Sequence, residues 1–242
     1  MFDIIECPVC KEKVSSFFKG FTDEEFEELK EEMVLNKYKP GETLFREGNM
    51  PVGLYWINHG KVKLYKPGAQ GREQIVRLST EGELLGYRSM ICNERYAATA
   101  ETIEQSYISF VSNKFFNEII QSNSALSSKL MELLCKDLRN AEEHTAGLAQ
   151  QSVRERVADV LLYLYKNFGT EEDGKTLQIK LQRKDLAALA GTANETLIRL
   201  LRDLKDEAII DLDRKFIKIE DPKRLENVSM GIATAMQKSP NT

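Results

Sequence analysis

The spacing of apolar residues changes several times along the chain, and each change predicts a different element. Around Phe21-Thr22-Asp23-Glu24-Glu25-Phe26-Glu27-Glu28-Leu29 it predicts a short acidic amphipathic helix. Thr22 is placed to cap it, and Glu25, three residues on, closes a capping box. From about Leu35 to Val111 short alternating runs take over, among them Thr43-Leu44-Phe45, Gly53 to Ile57, Lys61 to Tyr65, Gln74 to Leu78 and Tyr107 to Val111. Val62 and Leu64 fall on one side, Lys61, Lys63 and Tyr65 on the other, which is period two. Turn signals recur at Pro40-Gly41, Glu47-Gly48, His59-Gly60, Gln70-Gly71 and Glu81-Gly82. Many short strands at this spacing predict an antiparallel sandwich or barrel.

After Ser112 the period becomes helical. A short helix is predicted from Asn113 to Gln121. A long one, capped at Asn123-Ser124, runs to about Ala149. Met131, Leu134, Leu138, Ala141, Thr145 and Leu148 follow 3,4,3,4,3 spacing on it, a narrow heptad seam suited to pairing with a second copy. Packing on its own domain is the alternative. Ser152-Val153-Arg154-Glu155 is a second capping box, opening a helix with Val157, Val160, Leu161, Leu164 and Tyr165 inward. Gln150-Gln151 then reads as a hinge. Leu177 to Leu181 alternates like a short strand.

The region beyond it is the most specific. Arg183 to Ala190 reads as a helix whose alanines permit close approach. Gly191 suits a tight turn with positive φ. The next helix gathers Leu197, Leu200, Leu201 and Leu204 on one side, and Asn194, Glu195, Ile198, Arg199 and Arg202 roughly opposite. Asn, Glu and Arg are side chains that pair with base edges in a major groove. Thr192 is a candidate N-cap, with Glu195 completing a capping box. Two strands around Asp213-Arg214-Lys215 then make a hairpin. Helix, turn, helix and wing in that order point to DNA much more strongly than any one piece. The tail from Pro222 is expected to be a short helix.

Composition changes this picture little. The net charge of -4 rules out a globally basic nucleic-acid binder, but residues 175–224 carry 12 Lys+Arg against 9 Asp+Glu, so positive charge lies where the helix-turn-helix does. No signal-peptide pattern and no run of ~18 apolar residues is present, so a soluble cytoplasmic protein with no membrane partner is expected. His59, in a turn, and His144, on the long helix, have no nucleophile or metal partner in sight. An enzyme is not expected.

These patterns, from Leu35 to Ile219, resemble the Crp/Fnr family of bacterial transcription regulators. The resemblance rests on Lys39-Pro40-Gly41-Glu42-Thr43-Leu44-Phe45-Arg46-Glu47-Gly48, on Gly53 to Val62, and on Glu81-Gly82-Glu83-Leu84-Leu85-Gly86. It rests equally on Asp185-Leu186-Ala187 through Gly191, then Glu195-Thr196 and Arg199. It implies an α+β protein: an N-terminal antiparallel, jelly-roll-like β-roll for an effector, a long dimerisation helix and a C-terminal winged helix-turn-helix. The corresponding divisions are 1–20, a segment with Cys7 and Cys10; 21–122, the roll; 123–150, the dimer helix; and 151–242, the DNA-binding domain. It implies a homodimer on a palindromic operator in double-stranded DNA, in contact with RNA polymerase. Glu195 and Arg199 would read base edges, Arg199 favouring guanine, while Thr196 and Arg183 would hold phosphates. Asn194 departs from an arginine common there, and Gln182 from a Ser or Thr cap.

The effector side departs further. After Gly86 the family's acid is replaced by Tyr87-Arg88. Tyr96 and Ala97 stand where an Arg-Ser pair would hold a phosphate, with Arg95 one residue away. Ala141-Glu142 replace a hydroxyl pair on the dimer helix. Gly86, Tyr87, Arg88, Arg95, Tyr96 and Ala141 therefore outline a pocket for an unknown effector, not cyclic AMP, and no cofactor is predicted. Cys7, Cys10, Cys92 and Cys135 are too scattered for the four ligands of an iron–sulfur cluster, and Ser106 stands where a further cysteine would. A redox or metal sensor built on Cys7 and Cys10 is the alternative reading.

Overall fold

The structure is a computed structural model describing residues 21–68, 73–214 and 216–232. Cys7, Cys10, the Gln70-Gly71 turn and the Lys215 side chain lie outside the described residues. The chain divides into two compact units, with the boundary between Ala141 and Glu142.

The first unit opens with α1 (Asp23–Glu32). Its capping box is formed: Glu25 N–H donates to Thr22 Oγ1 at 3.2 Å, and Thr22 N–H to Glu25 Oε2 at 2.8 Å. Eight strands follow. They are β1 (Val34–Tyr38), β2 (Thr43–Phe45), β3 (Gly53–His59), β4 (Val62–Pro67), β5 (Glu73–Ser79), β6 (Leu84–Leu85), β7 (Thr99–Thr102) and β8 (Ser106–Ser112). The one-turn helix α2 (Tyr87–Ile91) lies between β6 and β7. The strands form two four-stranded antiparallel sheets, ordered β1-β8-β3-β6 and β2-β7-β4-β5.

β3 shows how the sheets build the core. Every residue from Gly53 to Asn58 is buried, so this strand has no solvent face. Alternate side chains go to different clusters. Tyr55 and Ile57 join Phe45, Val62, Tyr96 and Ile108. Leu54 and Trp56 join Leu84, Tyr87, Met90, Leu126 and Leu130 beneath the helices. β1, β6 and β7 carry no usable alternation: β7, Thr-Ala-Glu-Thr, offers one apolar side chain, Ala100.

Helix α3 (Asn113–Ser122) is capped by Ser112, whose hydroxyl accepts from Phe115 N–H at 3.3 Å. Helix α4 (Ser124–Gln150) follows at once. Asn123 starts it in two ways: Oδ1 accepts from Leu126 N–H at 2.9 Å, and Nδ2 donates to the Glu25 carboxylate at 3.1 Å. Leu126 and Leu130 fix its first turns in the core. The unit boundary falls inside this helix, nine residues before its end.

The second unit contains α5 (Val153–Phe168), α6 (Arg183–Ala190), α7 (Asn194–Asp206), the hairpin β9 (Ile210–Asp213) and β10 (Phe216–Ile219), and α8 (Pro222–Ser229). Ser152 caps α5 in a complete capping box. Asp221 caps α8, accepting from Arg224 N–H at 3.0 Å, with Pro222 in its first turn. The core is built from Val157, Leu161 and Leu164 of α5, Leu186 and Ala190 of α6, and the four leucines of α7, joined by Ile210, Ile219 and Leu225. Each fully buried leucine contributes roughly 2 kcal/mol.

The expected strand at Leu177 to Leu181 is corrected. Only isolated bridges form there, Thr170 with Leu177 and Thr176 with Lys218. Leu177, Ile179 and Leu181 are buried nonetheless. The alternation marked an apolar face but found no partner strand to run along.

Candidate nucleic-acid interface

The turn between α6 and α7 is set by Gly191, at φ 62° and ψ 45°, where a β-carbon is disfavoured. Ala187 O accepts from Gly191 N–H and from Thr192 N–H, the latter at 3.0 Å. Thr192 is therefore part of the turn. The N-cap of α7 is Ala193, and no side chain caps the helix. This corrects the expected Thr192–Glu195 capping box, and it leaves the Glu195 carboxylate uncommitted.

Leu197, Leu200, Leu201 and Leu204 are all at or below 6% exposure, so the inner face is fixed by packing. Asn194, Glu195, Arg199 and Arg202 are exposed on the other side, with Thr196 and Ile198 half-buried. Arg199 is 69% exposed, and its nearest carboxylate, Asp203, is 3.9 Å away, beyond hydrogen-bond range. Among the described residues Arg202 has no ion pair. Neighbouring cations are engaged instead: Arg154 holds Glu207 through two bonds of 2.7 and 2.8 Å, and Lys205 holds Asp211 at 2.7 Å.

Arg183 stands apart from these. It is half-buried at the start of α6, and Nη2 donates to the Arg214 carbonyl of the wing turn at 3.4 Å. Nη1 is enclosed without a partner among the described residues, and desolvation lowers the guanidinium pKa from its usual value. Arg214 itself sits at φ 50°, a left-handed position at the hairpin tip. Exposed Lys184 lies beside Arg183. Sequence reading counted neither Lys184 nor Arg214 for the interface, although Asp213-Arg214-Lys215 had been marked as the wing turn.

Of the six residues expected to outline an effector pocket, Tyr96 and Tyr87 fall in different buried clusters. Gly86, at φ 89°, starts α2. A β-carbon there would lie 3.1 Å from Gly53 O and 3.4 Å from the Tyr96 ring. The Tyr96 ring stacks on Phe45 at 3.9 Å, its hydroxyl donates to Gly53 O at 3.2 Å, and it is 3% exposed. Tyr87 is buried in the other cluster, against Leu126 and Leu130 of α4. Its hydroxyl donates to Asp137 of α4. Arg77 completes the group, with Nη1 on Asp137 at 2.6 Å and Nη2 on Glu83 at 2.9 Å. Burial and the Asp137 bond hold the Tyr87 phenol above its usual pKa. Arg88, Arg95 and Ala141 are exposed, Arg95 donating to Gly48 O at 2.8 Å. The Arg77–Asp137 link joins residues 60 apart, and no local pattern announces it.

On α4, Met131 and Leu138 are each 60% exposed and Leu148 40%, with Ala141 and Thr145 also exposed. Leu134 differs: it is half-buried against its own unit's core. Exposed Cys135 lies beside it. Among the described residues no group of three or more His, Cys, Asp or Glu side chains is arranged to hold a metal ion. No described helix is long and apolar enough to cross a membrane.

Two domain models match this architecture in order. Residues 35–123 match the cyclic nucleotide-binding domain, and residues 155–228 the Crp-like helix-turn-helix domain. The chain belongs to the Crp/Fnr family. Its relatives include the cyclic AMP receptor protein of Thermus thermophilus, 28% identical over 221 residues, covering 91% of this chain and 100% of that one. Another is the CRP-like cAMP-activated global transcriptional regulator of Mycobacterium tuberculosis, 28% identical over 213 residues, 87% of this chain and 95% of that protein. In fold it is similar to FixK2 from Bradyrhizobium japonicum, with a TM-score of 0.74 at 24% identity over 84% of this chain and 98% of that one. This Crp/Fnr chain is thus a transcription regulator with a helix-turn-helix DNA-binding domain. Its relatives are regulators and not enzymes.

Proposed function

We propose that this regulator works as a homodimer that places two copies of α7 in successive major grooves of a palindromic operator, about 34 Å apart. The observation that carries the reading is the outer face of α7, where exposed Arg199 and Arg202 lack close carboxylate partners while nearby cations are bonded. Arg199 reads guanine, Glu195 and Asn194 contact neighbouring base edges, and Thr196, Arg183, Lys184 and Arg214 follow the phosphates. The exposed stripe of Met131, Leu138 and Leu148 supports pairing of α4 with its twin. The dimer then acts in the cytoplasm through contact with RNA polymerase.

Control by cyclic AMP is disfavoured by the packing of Tyr96 on Phe45 and by the Tyr87–Asp137–Arg77 network. The polar atoms of Tyr87, Asp137 and Arg77 are engaged with one another, and the Tyr96 ring is engaged with Phe45, which supports a ligand other than a nucleotide. The signal is a different effector acting on the roll. A redox or metal signal at Cys7 and Cys10 is the second reading, and it lies outside the described residues.

The test is selection of bound duplexes from a randomised DNA pool by the full chain, followed by footprinting and sedimentation. Two protected half-sites one helical turn apart, with affinity falling steeply as salt rises, are expected. An unselective pool, or one half-site bound by a monomer, would sink the reading. Met131→Asp combined with Leu138→Asp is expected to give monomers.

A further inference from the structure

Arg156, one turn into α5, gives all three guanidinium nitrogens to backbone carbonyls. Nε donates to Ala190 O at 3.0 Å, Nη2 to Gly191 O at 3.2 Å and Nη1 to Gln151 O at 2.9 Å. Ala190 ends α6, and Gly191 is the left-handed residue of the DNA-reading turn. Gln151 joins α4 to α5. The end of a helix presents unsatisfied carbonyls with partial negative charge, which a cation suits. Only arginine has a planar fork that can serve three acceptors at once. One side chain therefore fastens the turn in front of α7 to the segment that follows the long helix.

His144, in the last turns of α4, is the neighbour that bears on this clamp. It is half-buried, and its Nε2 is enclosed with no hydrogen-bond partner among the described residues. Burial, and after it the positive charge of Arg156, disfavour its protonated form, with Asp159 of α5 acting the other way. Burial raises the Asp159 pKa above the usual carboxylate value, with Gln151, Lys166 of α5 and His144 acting against that and Glu143 of α4 adding to it. A proton on His144 would set a second cation against Arg156, with Asp159 the acid that favours it.

We propose that Arg156 is the positioning residue of the DNA-reading turn, and that it holds the turn only while His144 is neutral, so that operator recognition is lost on acidification. The proposal rests on the reading of α7 as the DNA-reading helix. A charged His144 competes for the space and counter-charge of Arg156, draws the guanidinium off Ala190 O and Gly191 O, and frees the turn that sets the angle of α7. The direction follows from linkage. A histidine whose protonation is disfavoured in the fold gives its full contribution above pH 6.5, and that contribution is lost as pH falls.

The test uses the full chain and a duplex it selects from a randomised pool at about pH 7.5, with an unselected duplex as the reference. The ratio of the two affinities is expected to fall about tenfold as the pH is taken well below 6.5 in the native protein, and to stay flat in His144→Gln. Arg156→Ala is expected to lower the ratio at pH 7.5 with little effect on the unselected duplex. Arg156→Lys, which keeps the charge and reaches fewer carbonyls, carries the same readout if the alanine variant does not fold. A profile for His144→Gln that parallels the native one, or an unchanged ratio in Arg156→Lys, overturns the proposal. If no duplex is selected at all, the DNA-reading assignment of α7 fails first and the proposal falls with it.

Discussion

Arg77 and Arg199 are the same side chain in two opposite conditions. Arg77 is 23% exposed and lies between the Glu83 and Asp137 carboxylates. Arg199 is 69% exposed, and its nearest acid stands at 3.9 Å. The first is consumed in joining β5 to α4. The second is held only by its backbone and waits for an acceptor outside the chain. Around Arg77 every polar group faces another: Tyr87 to Asp137, Arg77 to both acids. Around Arg199 the leucines beneath are fixed, and the guanidinium above has only a 3.9 Å approach to Asp203. A charged cluster therefore marks a ligand site only where its bonds are unfilled, and by that measure the Arg77 cluster is spent while the face of α7 is open.

The comparison breaks most visibly at Arg199. Arg199→Ala is expected to cut affinity for a selected duplex by roughly tenfold to a hundredfold, with an unselected duplex nearly unaffected. Measured sequence preference that survives the change would show α7 not to be the reader. Arg77→Ala is the converse. It strands Asp137 and Glu83, and the midpoint of thermal unfolding should fall by the equivalent of about 1 to 2 kcal/mol, discounted for the partial exposure of both acids. Preference among duplexes should not move; a change in preference would show the network to be part of recognition.

Ser152→Ala removes the capping box of α5 and should cost about 1 kcal/mol in denaturant unfolding. The smallest effect is at Asp173. Its carboxylate accepts from the Thr176 hydroxyl and from the N–H groups of Thr176 and Lys175, which hold its pKa down at about 2. A depressed carboxylate contributes stability above its unfolded pKa of 3.8 and loses it as pH falls toward 2. Asp173→Asn should flatten that part of an acid-unfolding curve and leave the neutral range unchanged.

Local patterns were legible and remote ones were not. The capping boxes at Thr22 and Ser152, the leucine face of α7, the left-handed Gly191 and the wing hairpin can all be read within a few residues. The Thr192 box fails because the turn takes one residue more than a three-residue signature can show. β7 fails because a strand buried between neighbours needs no alternation of its own. Asp137 lies 60 residues from Arg77 and 50 from Tyr87 along the chain. Only the fold makes them neighbours, so an open pocket at Tyr87 and Arg88 was a natural expectation with nothing local to oppose it. Leu134 matches the heptad seam by spacing, yet it packs against the core of its own unit.

The helices that build the scaffold start with an oxygen of their own: Thr22, Ser112, Asn123, Ser152 and Asp221 each accept a first-turn amide. Among the described residues, and apart from the one-turn α2, the helices without such a side chain are α6 and α7. The Asp185 N–H of α6 turns back to Gln182 O at 3.0 Å, and no side-chain oxygen meets the first-turn amides of either helix. On a duplex, phosphate oxygens are the acceptors that suit them. On the proposed operator, tightness of binding and stiffness of the two helices would rise together, and ions that compete for the phosphates would loosen both at once.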